Sequence, residues 1–206
     1  MMARFQTLSA RLLRSVPLSE FTKHIEFEVQ GVPRLGFVAG QWLSVKASTP
    51  EGEEITRAYS IASAPSENGR FAFCLNRVQD GYMSNYLCNL AEGAEISFQG
   101  PFGDFSLRPP LRDTLMIATG TGIAPFRSML EGMFVSGNGS PDAMERRASP
   151  PVQLSAQFWL LFGARYEQDT AARSGRACAD TCRSTCEKLW AVVPTCKPTS
   201  AGSTRW

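Results

Sequence analysis

Hydrophobic and polar residues alternate in short runs over residues 5–107, and Gly, Pro or Asn residues separate these runs. A period of two is typical of strands that bury one face. The pattern predicts one short helix, over residues 82–90, and a turn at Pro17 between the first two strands. The predicted strands are residues 5–14, 22–29, 42–47, 55–63, 71–78 and 95–99. Short strands in such a succession predict an antiparallel barrel or sandwich.

A different pattern follows the Pro109-Pro110 pair. Residues 114–119 (TLMIAT) form a nearly continuous apolar run, which is typical of a parallel strand covered on both faces. A glycine-rich turn, an amphipathic helix over residues 124–134 and a second apolar strand over residues 158–164 come next. The polar stretch between this helix and the second strand predicts a long loop. Together these elements predict one parallel βαβ unit.

The composition changes near residue 169. All 13 phenylalanines and all seven methionines precede it, whereas residues 170–206 carry 6 basic and 2 acidic side chains and four of the six cysteines. A segment this poor in large apolar side chains can hardly build an interior layer. No third parallel strand is predicted there, because the apolar run 191–193 is short and ends at Pro194. We expect residues 170–206 to be a disordered or non-native tail, such as one produced by a shifted reading frame.

The whole-chain composition excludes several classes of protein. The chain has 206 residues, of which 43% are hydrophobic and 19% charged, as in a globular protein. Its net charge of +2 is unlike that of a dedicated nucleic-acid binder, and no apolar run approaches the roughly 18 residues of a membrane helix. The basic N-terminus, with Arg4, Arg11 and Arg14, resembles a transit peptide only superficially. We expect a monomer in the cytoplasm.

The tetrapeptide Arg57-Ala58-Tyr59-Ser60 lies within a predicted strand and combines a permanent cation, an aromatic ring and a hydroxyl group. Alternation places Arg57 and Tyr59 on one face. A guanidinium can bind a phosphate there, and a phenol ring can stack on a flat heterocycle. Taken alone, the tetrapeptide also fits an ordinary amphipathic strand with a surface arginine.

Three further motifs follow in order. Gly81-Tyr82-Met83-Ser84 opens the predicted helix, where backbone N–H groups and the helix dipole suit an anion. The sequence GPFG, at residues 100–103, ends the last predicted barrel strand and fits a plain turn. The segment ATGTGIAPFRS, at residues 118–128, places glycines where a parallel strand meets a helix, which is where pyrophosphates dock in such sheets.

The glycine motif is neither a G-x-G-x-x-G fingerprint, because Pro125 replaces the third glycine, nor a Walker A motif, because no lysine follows. Arg165 ends the second apolar strand and would bring a cation to the same edge of the sheet. It equally fits an exposed surface charge.

In this order and spacing, RAYS, GYMS, GPFG and GTGIAPFRS resemble the ferredoxin–NADP reductase family, which includes flavodoxin reductases and the reductase components of bacterial oxygenases. The resemblance covers about residues 3–169. It implies a six-stranded antiparallel Greek-key FAD-binding barrel over residues 1–108. A truncated parallel α/β NAD(P)-binding domain would follow over residues 109–169.

The resemblance also implies roles for individual residues. The FAD pyrophosphate would be bound by Arg57, the isoalloxazine would be contacted by Tyr59, and N5 of the flavin by Ser60, with Ile61 beside them. The catalytic pair would be Tyr59 and Ser60. Further pyrophosphate contacts are implied for Gly81, Met83 and Ser84, and nucleotide contacts for Gly120, Thr121, Gly122 and Arg165.

The implied activity is hydride transfer from NAD(P)H to FAD, followed by electron transfer to a redox protein such as a ferredoxin, a flavodoxin or an oxygenase component. Two alternatives stay open. One is an FAD-binding module without effective NAD(P)H turnover, and the other is an electron-transfer subunit attached to another enzyme.

The cysteines and the single histidine do not predict a metal site. Cys178, Cys182 and Cys186 lack the spacings of zinc sites or plant-type iron–sulfur clusters. We interpret Cys74 and Cys88 as small buried apolar residues. No motif supplies a nucleophile beside His24, so we expect a structural role for it.

Overall fold

The computed structural model describes residues 6–134, 156–163 and 190–191. The strands are Leu8–Pro17 (β1), Thr22–Val29 (β2), Trp42–Ser48 (β3), Glu54–Ser60 (β4), Arg70–Asn76 (β5), Glu95–Phe102 (β6), Thr114–Thr119 (β7), Phe158–Gly163 (β8) and Trp190–Ala191 (β9). The helices are Tyr82–Asn89 (α1) and Ala124–Phe134 (α2), and the 3-10 turn Gly120–Ile123 immediately precedes α2. The predicted loop at 136–155, Arg165 and Cys178, Cys182 and Cys186 lie outside the described residues.

The first six strands form one antiparallel sheet in the order β4-β3-β6-β1-β2-β5. Ile61, which directly follows β4, forms an antiparallel bridge with Phe73 of β5. This bridge joins the first and last strands in the sheet order, so the sheet closes into a barrel. The late strand β6 lies between β3 and β1, as in a Greek-key connection. The predicted six-stranded antiparallel barrel is confirmed.

Aromatic rings fill the barrel. Alternate residues of β2, including Ile25 and Phe27, are buried as the period of two predicts. The ring of Phe71 lies 5.4 to 5.5 Å from those of Phe27, Phe73 and Phe98, measured between centroids. Burying each large apolar side chain contributes roughly 1.5–3 kcal/mol, so this cluster is a main source of stability.

The remaining strands form a parallel sheet in the order β7-β8-β9, and α2 packs on one face of it. Buried residues on that face include Met116, Leu160 and Phe162. The opposite face exposes large apolar side chains, with Leu115 and Ile117 each 61% exposed among the described residues.

The prediction of only two parallel strands is wrong. Trp190 and Ala191 of β9 pair with Leu160 and Leu161 of β8. The edge of β8 facing away from β7 offers backbone donors and acceptors, and a two-residue segment is enough to pair with them. β9 overlaps the apolar run 191–193 at Ala191, and that run is too short to predict a strand from the sequence alone.

The prediction of a turn at Pro17 is also wrong, since β1 continues to that residue, which pairs with Lys23. The pairing of β1 with β6 spans only Leu8 to Arg11, so Pro17 has β2 on one side and no ladder to β6 on the other. A proline without an N–H group is tolerated at such a position. The reversal comes one residue later, where the N–H of Leu18 donates to the carbonyl of Thr22 at 2.8 Å.

Three other strands end two or three residues away from the predicted position. β6 runs through the GPFG motif to Phe102, because Phe102 pairs with Trp42 and their rings lie 4.9 Å apart. β4 ends at Ser60 rather than residue 63, because the chain then crosses to β5. β5 ends at Asn76 rather than residue 78, because the N–H of Arg77 donates to the carbonyl of Phe21, which lies outside the strands.

Candidate functional site

The register between β3 and β4 fixes the direction of each RAYS side chain. Arg57 pairs with Val45 and Tyr59 with Leu43, and both partners are fully buried in the barrel. Because paired residues share a face of the sheet, Arg57 and Tyr59 both lie on the inward face of β4. The prediction that they share one face is confirmed. Ser60 is the next residue and therefore lies on the opposite face. Because β4 ends the sheet order, a flat ligand lying along its edge can contact residues of both faces.

Tyr59 is held by packing. Its side chain is half-buried against the barrel core, and its ring centroid lies 5.5 Å from that of Phe73. Burial is the main cause that raises the pKa of Tyr59 to about 12, the Cys88 thiol adds to the effect and Arg57 opposes it. The phenol is therefore neutral at physiological pH, and its ring presents an uncharged surface for stacking.

Arg57 is an exposed cation within this packed strand. Its Nη1 donates to the carbonyl oxygen of Thr56 at 2.9 Å. The ion pairs found among the described residues join Arg34 to Glu67, Arg70 to Glu28 and Arg127 to Glu131, and none includes Arg57. The Arg57 guanidinium thus keeps most of its donors for an anion.

Hydrogen bonds of the Ser84 side chain close the first turn of α1. The Ser84 hydroxyl donates to the carbonyl of Gly81 at 3.0 Å and accepts the N–H of Val78 at 3.0 Å. The Met83 and Ser84 side chains are buried. The N–H of Gly81 donates to the carbonyl of Val78 at 3.0 Å. Because this N–H and the Ser84 hydroxyl are both engaged, the backbone N–H groups of Met83 and Ser84 in the first helical turn are the ones that suit a phosphate.

Two residues outside the predicted set position α1. The Tyr82 hydroxyl donates to the carbonyl oxygen of Ser48 at 2.6 Å, which ties the helix start to the end of β3. The Asn85 amide donates to the carbonyls of Val78 and Gly81 at 2.8 and 3.0 Å. Asn85 is a helical residue whose polar side chain returns to the preceding turn, a pattern that the sequence alone signals only weakly.

An open groove of about 620 Å³ follows the outer side of α1. Its lining residues are Gln79, Asp80, Gly81, Tyr82, Asn85, Tyr86, Asn89 and Leu90. It shares Gly81 with the predicted site but is not lined by Arg57, Tyr59 or Ser60. The groove carries no cation, so we place the candidate anion site at the β4 edge, where the chemistry of the side chains is suitable.

The glycine segment after β7 forms the 3-10 turn. Gly120 has a φ of +50°, which favours glycine, and a Cβ built on Gly120 or Gly122 meets nothing within 4 Å. Both glycines are exposed. The N–H of Ala124 donates to the carbonyl of Thr121, which closes the turn before α2 begins. The open space beside these glycines gives a ligand close access to the backbone.

The two predicted sites are connected by hydrogen bonds that the sequence analysis missed. Arg127 Nη1 donates to the carbonyl of Ala62 at 2.6 Å, and the Ser128 hydroxyl donates to the carbonyl of Ser63 at 2.6 Å. Arg127 and Ser128 belong to the APFRS motif. Their acceptors are backbone carbonyls, so the side chains of residues 62 and 63 give no indication of these hydrogen bonds in the sequence. The short segment after Ser60 thus binds the helix that follows the glycine turn.

His24 and the cysteines have structural surroundings. The Nε2 atom of His24 is buried, and no hydrogen-bond partner for it occurs among the described residues. Its pKa is lowered to about 4, first by burial and then by Arg127 and Arg14. Cys74 and Cys88 are buried, as expected. Within residues 6–134, 156–163 and 190–191, no cluster of metal-ligating side chains occurs, and no helix is long and apolar enough to cross a membrane.

The donor set at the β4 edge fits a flavin dinucleotide. A guanidinium without a carboxylate partner in the described part of the chain suits a pyrophosphate, and a neutral phenol ring beside it suits a flat heterocycle. The open glycine turn suits a second nucleotide.

Two family models match the chain. One, described as an oxidoreductase FAD-binding domain, matches residues 9–107, and the other, an oxidoreductase NAD-binding domain, matches residues 116–204. The second match includes most of the segment after residue 169 that the composition sets apart.

Proteins of similar sequence include a reductase and an electron transfer component. The chain is 39% identical over 173 residues to ferredoxin–NADP reductase B of Sorangium cellulosum, covering 84% of this chain and 64% of that protein. It is 36% identical over 125 residues to the toluate 1,2-dioxygenase electron transfer component of Pseudomonas putida, covering 60% of this chain and 36% of that protein. The chain thus spans less than two thirds of these relatives.

The fold is similar to that of a solved ferredoxin-NADP+ reductase from Plasmodium falciparum with 2'P-AMP, with a TM-score of 0.62 and 22% identity. That likeness covers 80% of this chain and 64% of the other. At this identity it supports the fold alone.

Proposed function

Because the chain belongs to the ferredoxin–NADP reductase family of FAD- and NAD-binding oxidoreductases, we propose that it is an NAD(P)H-dependent flavoprotein reductase. When bound, FAD would supply the redox chemistry by accepting a hydride from NAD(P)H, which leaves as NAD(P)+, and by passing two electrons onward. The observation that carries the proposal is the shared inward face of Arg57 and Tyr59 at the edge of the barrel.

The proposed roles of the β4 residues follow from their positions. Arg57 binds the pyrophosphate through a charge-assisted contact. Tyr59 supports the flavin ring with a rigid, uncharged surface, because the packing on Phe73 limits its motion. Ser60, on the other face of the same strand, offers a hydroxyl to N5 along the strand edge, with Ile61 fixing the chain beside it through its bridge to Phe73.

The remaining roles belong to the two glycine motifs. The backbone N–H groups of Met83 and Ser84 contact the pyrophosphate. Gly81, whose own N–H donates to the carbonyl of Val78 at 3.0 Å, and the Ser84 hydroxyl maintain the turn that presents them. The backbone of Gly120, Thr121 and Gly122 receives the nicotinamide nucleotide at the end of β7. Arg165 is proposed to contact the same nucleotide.

The proposed electron acceptor is a redox protein such as a ferredoxin, a flavodoxin or an oxygenase component. Support comes from the relatives, which include a ferredoxin–NADP reductase and dioxygenase electron transfer components. Reduction of a ferredoxin by NAD(P)H in the presence of catalytic amounts of this protein tests the acceptor class. Reduction of artificial dyes without any reduction of a ferredoxin, a flavodoxin or an oxygenase component would contradict it.

A second candidate function is an FAD-binding module with little NAD(P)H turnover. The exposure of one face of the parallel sheet favours it, since Leu115 and Ile117 are each 61% exposed among the described residues, whereas parallel sheets are ordinarily covered on both faces. Both candidates predict a yellow protein that releases FAD on denaturation. They differ in whether NADH or NADPH reduces the bound flavin under anaerobic conditions, and a colourless protein that cannot be reconstituted with FAD contradicts both.

A further inference from the structure

Arg127, Ser128 and Glu131 of α2 hold residues 62–64 through the hydrogen bonds that we call the interdomain clamp. Arg127 and Ser128 donate to the carbonyls of Ala62 and Ser63, each at 2.6 Å. Glu131 Oε2 accepts the N–H of Ala64 at 3.2 Å and lies 3.3 Å from Arg127 Nη1. The clamp therefore contacts three consecutive residues, and Arg127 and Glu131 within it also form an ion pair.

The same segment is bound to the barrel from its other side. The N–H of Ile61 donates to the carbonyl of Gln41 at 2.9 Å, and that of Ala62 to the carbonyl of Ala72 at 2.7 Å. The hydroxyl of Ser63 accepts the N–H of Ala72 at 3.0 Å. Because barrel and helix bind different groups of one short segment, the segment transmits the position of one to the other. Ala62 and Ser128 are fully buried, which strengthens these polar contacts.

Both ends of the clamp lie close in sequence to the proposed sites. Ser60 precedes Ala62 by two positions, and Ile123, which ends the glycine turn, precedes Arg127 by about one helical turn. Few rotatable backbone bonds therefore separate the clamp from the flavin face or from the nucleotide turn. A displacement of α2 at the clamp moves the turn relative to β4.

We propose that Arg127 is a positioning residue for hydride transfer, acting through the clamp to set the separation between the Gly120–Ile123 turn and the Tyr59–Ser60 pair. This inference rests on the proposed function. Arg127 contacts neither proposed cofactor site directly, so it positions the reacting groups and does not join the chemistry. Transfer rates depend steeply on such separations, since a misplacement of about 1 Å can cost about a hundredfold in rate.

The kinetic test compares the wild-type full-length chain with Arg127→Ala, Arg127→Lys and Ser128→Ala, each loaded with FAD. We expect the limiting rate of flavin reduction to fall about tenfold or more in Arg127→Ala, with FAD affinity and half-saturating nucleotide changed less than about threefold. Arg127→Lys keeps one donor for Ala62 and recovers part of the rate, and Ser128→Ala lowers it more mildly. Arg108→Ala, at an exposed arginine of the segment between β6 and β7, is the control and keeps the wild-type rate.

A second measurement on the FAD-free chain does not depend on turnover. In Arg127→Ala, hydrogen exchange of the Ala64 amide accelerates because its acceptor Glu131 loses the adjacent cation. The Ala62 amide, bonded within the barrel, keeps its protection and shows that the barrel remains folded.

The outcomes are distinguishable. A reduction rate within about twofold of wild type in FAD-loaded Arg127→Ala overturns the positioning role while leaving the proposed function intact. Unchanged exchange at Ala64 overturns the clamp as its physical basis. A wild-type chain that binds FAD but is reduced by neither NADH nor NADPH contradicts the proposed reductase activity and, with it, this inference.

Discussion

Arg57 lies directly opposite Val45 in the ladder between β3 and β4, yet Val45 is fully buried whereas Arg57 is exposed. Paired residues share a face, so this cation belongs to the inner face of the barrel at a position where that face meets solvent. A surface arginine on the outer face would have served solubility equally well. The inward placement, beside the half-buried Tyr59, favours a binding role for Arg57.

Replacing Arg57 with alanine is expected to weaken FAD binding by about 1.5–3 kcal/mol, because a charge-assisted contact to the pyrophosphate is lost. Titration of the FAD-free protein, followed by flavin fluorescence, measures the change. The matched control is Arg34→Ala, at an exposed arginine paired with Glu67. That surface pair contributes little, so the control retains wild-type affinity. Equal affinities in the two variants would show that the pyrophosphate binds elsewhere.

Replacing Ser60 with alanine separates binding from reactivity. We expect FAD affinity to remain near that of the wild type, whereas the limiting rate of flavin reduction falls about tenfold or more, because a hydroxyl placed beside the reacting atom is lost. Stopped-flow reduction measures the rate. Ser97→Ala, at an exposed serine of β6, is the control. A Ser60→Ala rate equal to that of Ser97→Ala would remove Ser60 from the reacting site.

Gly40 marks a point where the chain cannot accept a side chain. It has a φ of +103°, and a Cβ there would overlap the carbonyl oxygen of Phe105 and lie 2.5 Å from Cε of Met129. Gly40→Ala is expected to lower the free energy of unfolding by about 3 kcal/mol or more, through strain and overlap. Gly52 has a φ of +88° and open space beside it, so Gly52→Ala introduces backbone strain without overlap. It is expected to lower the free energy of unfolding by about 1–2 kcal/mol. Urea unfolding of the two variants should show this order, and equal costs would contradict the close approach.

His24 is expected to make stability depend on pH. Its folded pKa of about 4 lies below its ordinary value of 6.5, so the folded state disfavours protonation. The stability associated with neutral His24 is therefore complete above pH 6.5 and is lost as the pH falls toward 4. Arg127 and Arg14 reinforce the effect.

Replacing His24 with glutamine should flatten the unfolding free energy between pH 6.5 and 4 relative to the wild type. Thermal unfolding across this range measures the difference. A His24→Gln variant with the same acid sensitivity as the wild type would assign the effect to other groups.

The period of two was sufficient to predict the six barrel strands and the common face of Arg57 and Tyr59, because alternation is a local property of the chain. The position of Ser60 on the other face follows from the same rule. The engagement of the Ser84 hydroxyl with Val78 could not be predicted, since it depends on how the chain turns before α1.

The relationships that connect the two halves are not local. Arg127 and Ala62 are 65 positions apart, and the bond joins a side chain to a backbone carbonyl, which has no residue-specific signature. Gly40 approaches the backbone of Phe105, which is also distant in sequence, so this contact exists only in the folded protein. The short strand β9 also depends on an available backbone edge rather than on its own sequence.

The most direct test of the central claim is anaerobic stopped-flow mixing of the FAD-loaded full-length chain with NADH and, separately, with NADPH. The proposed reductase activity predicts rapid, saturable loss of the oxidised flavin absorbance with at least one of the two nucleotides. Retention of the oxidised flavin spectrum with both, in a protein that binds FAD stoichiometrically, would contradict it and leave an FAD-binding module.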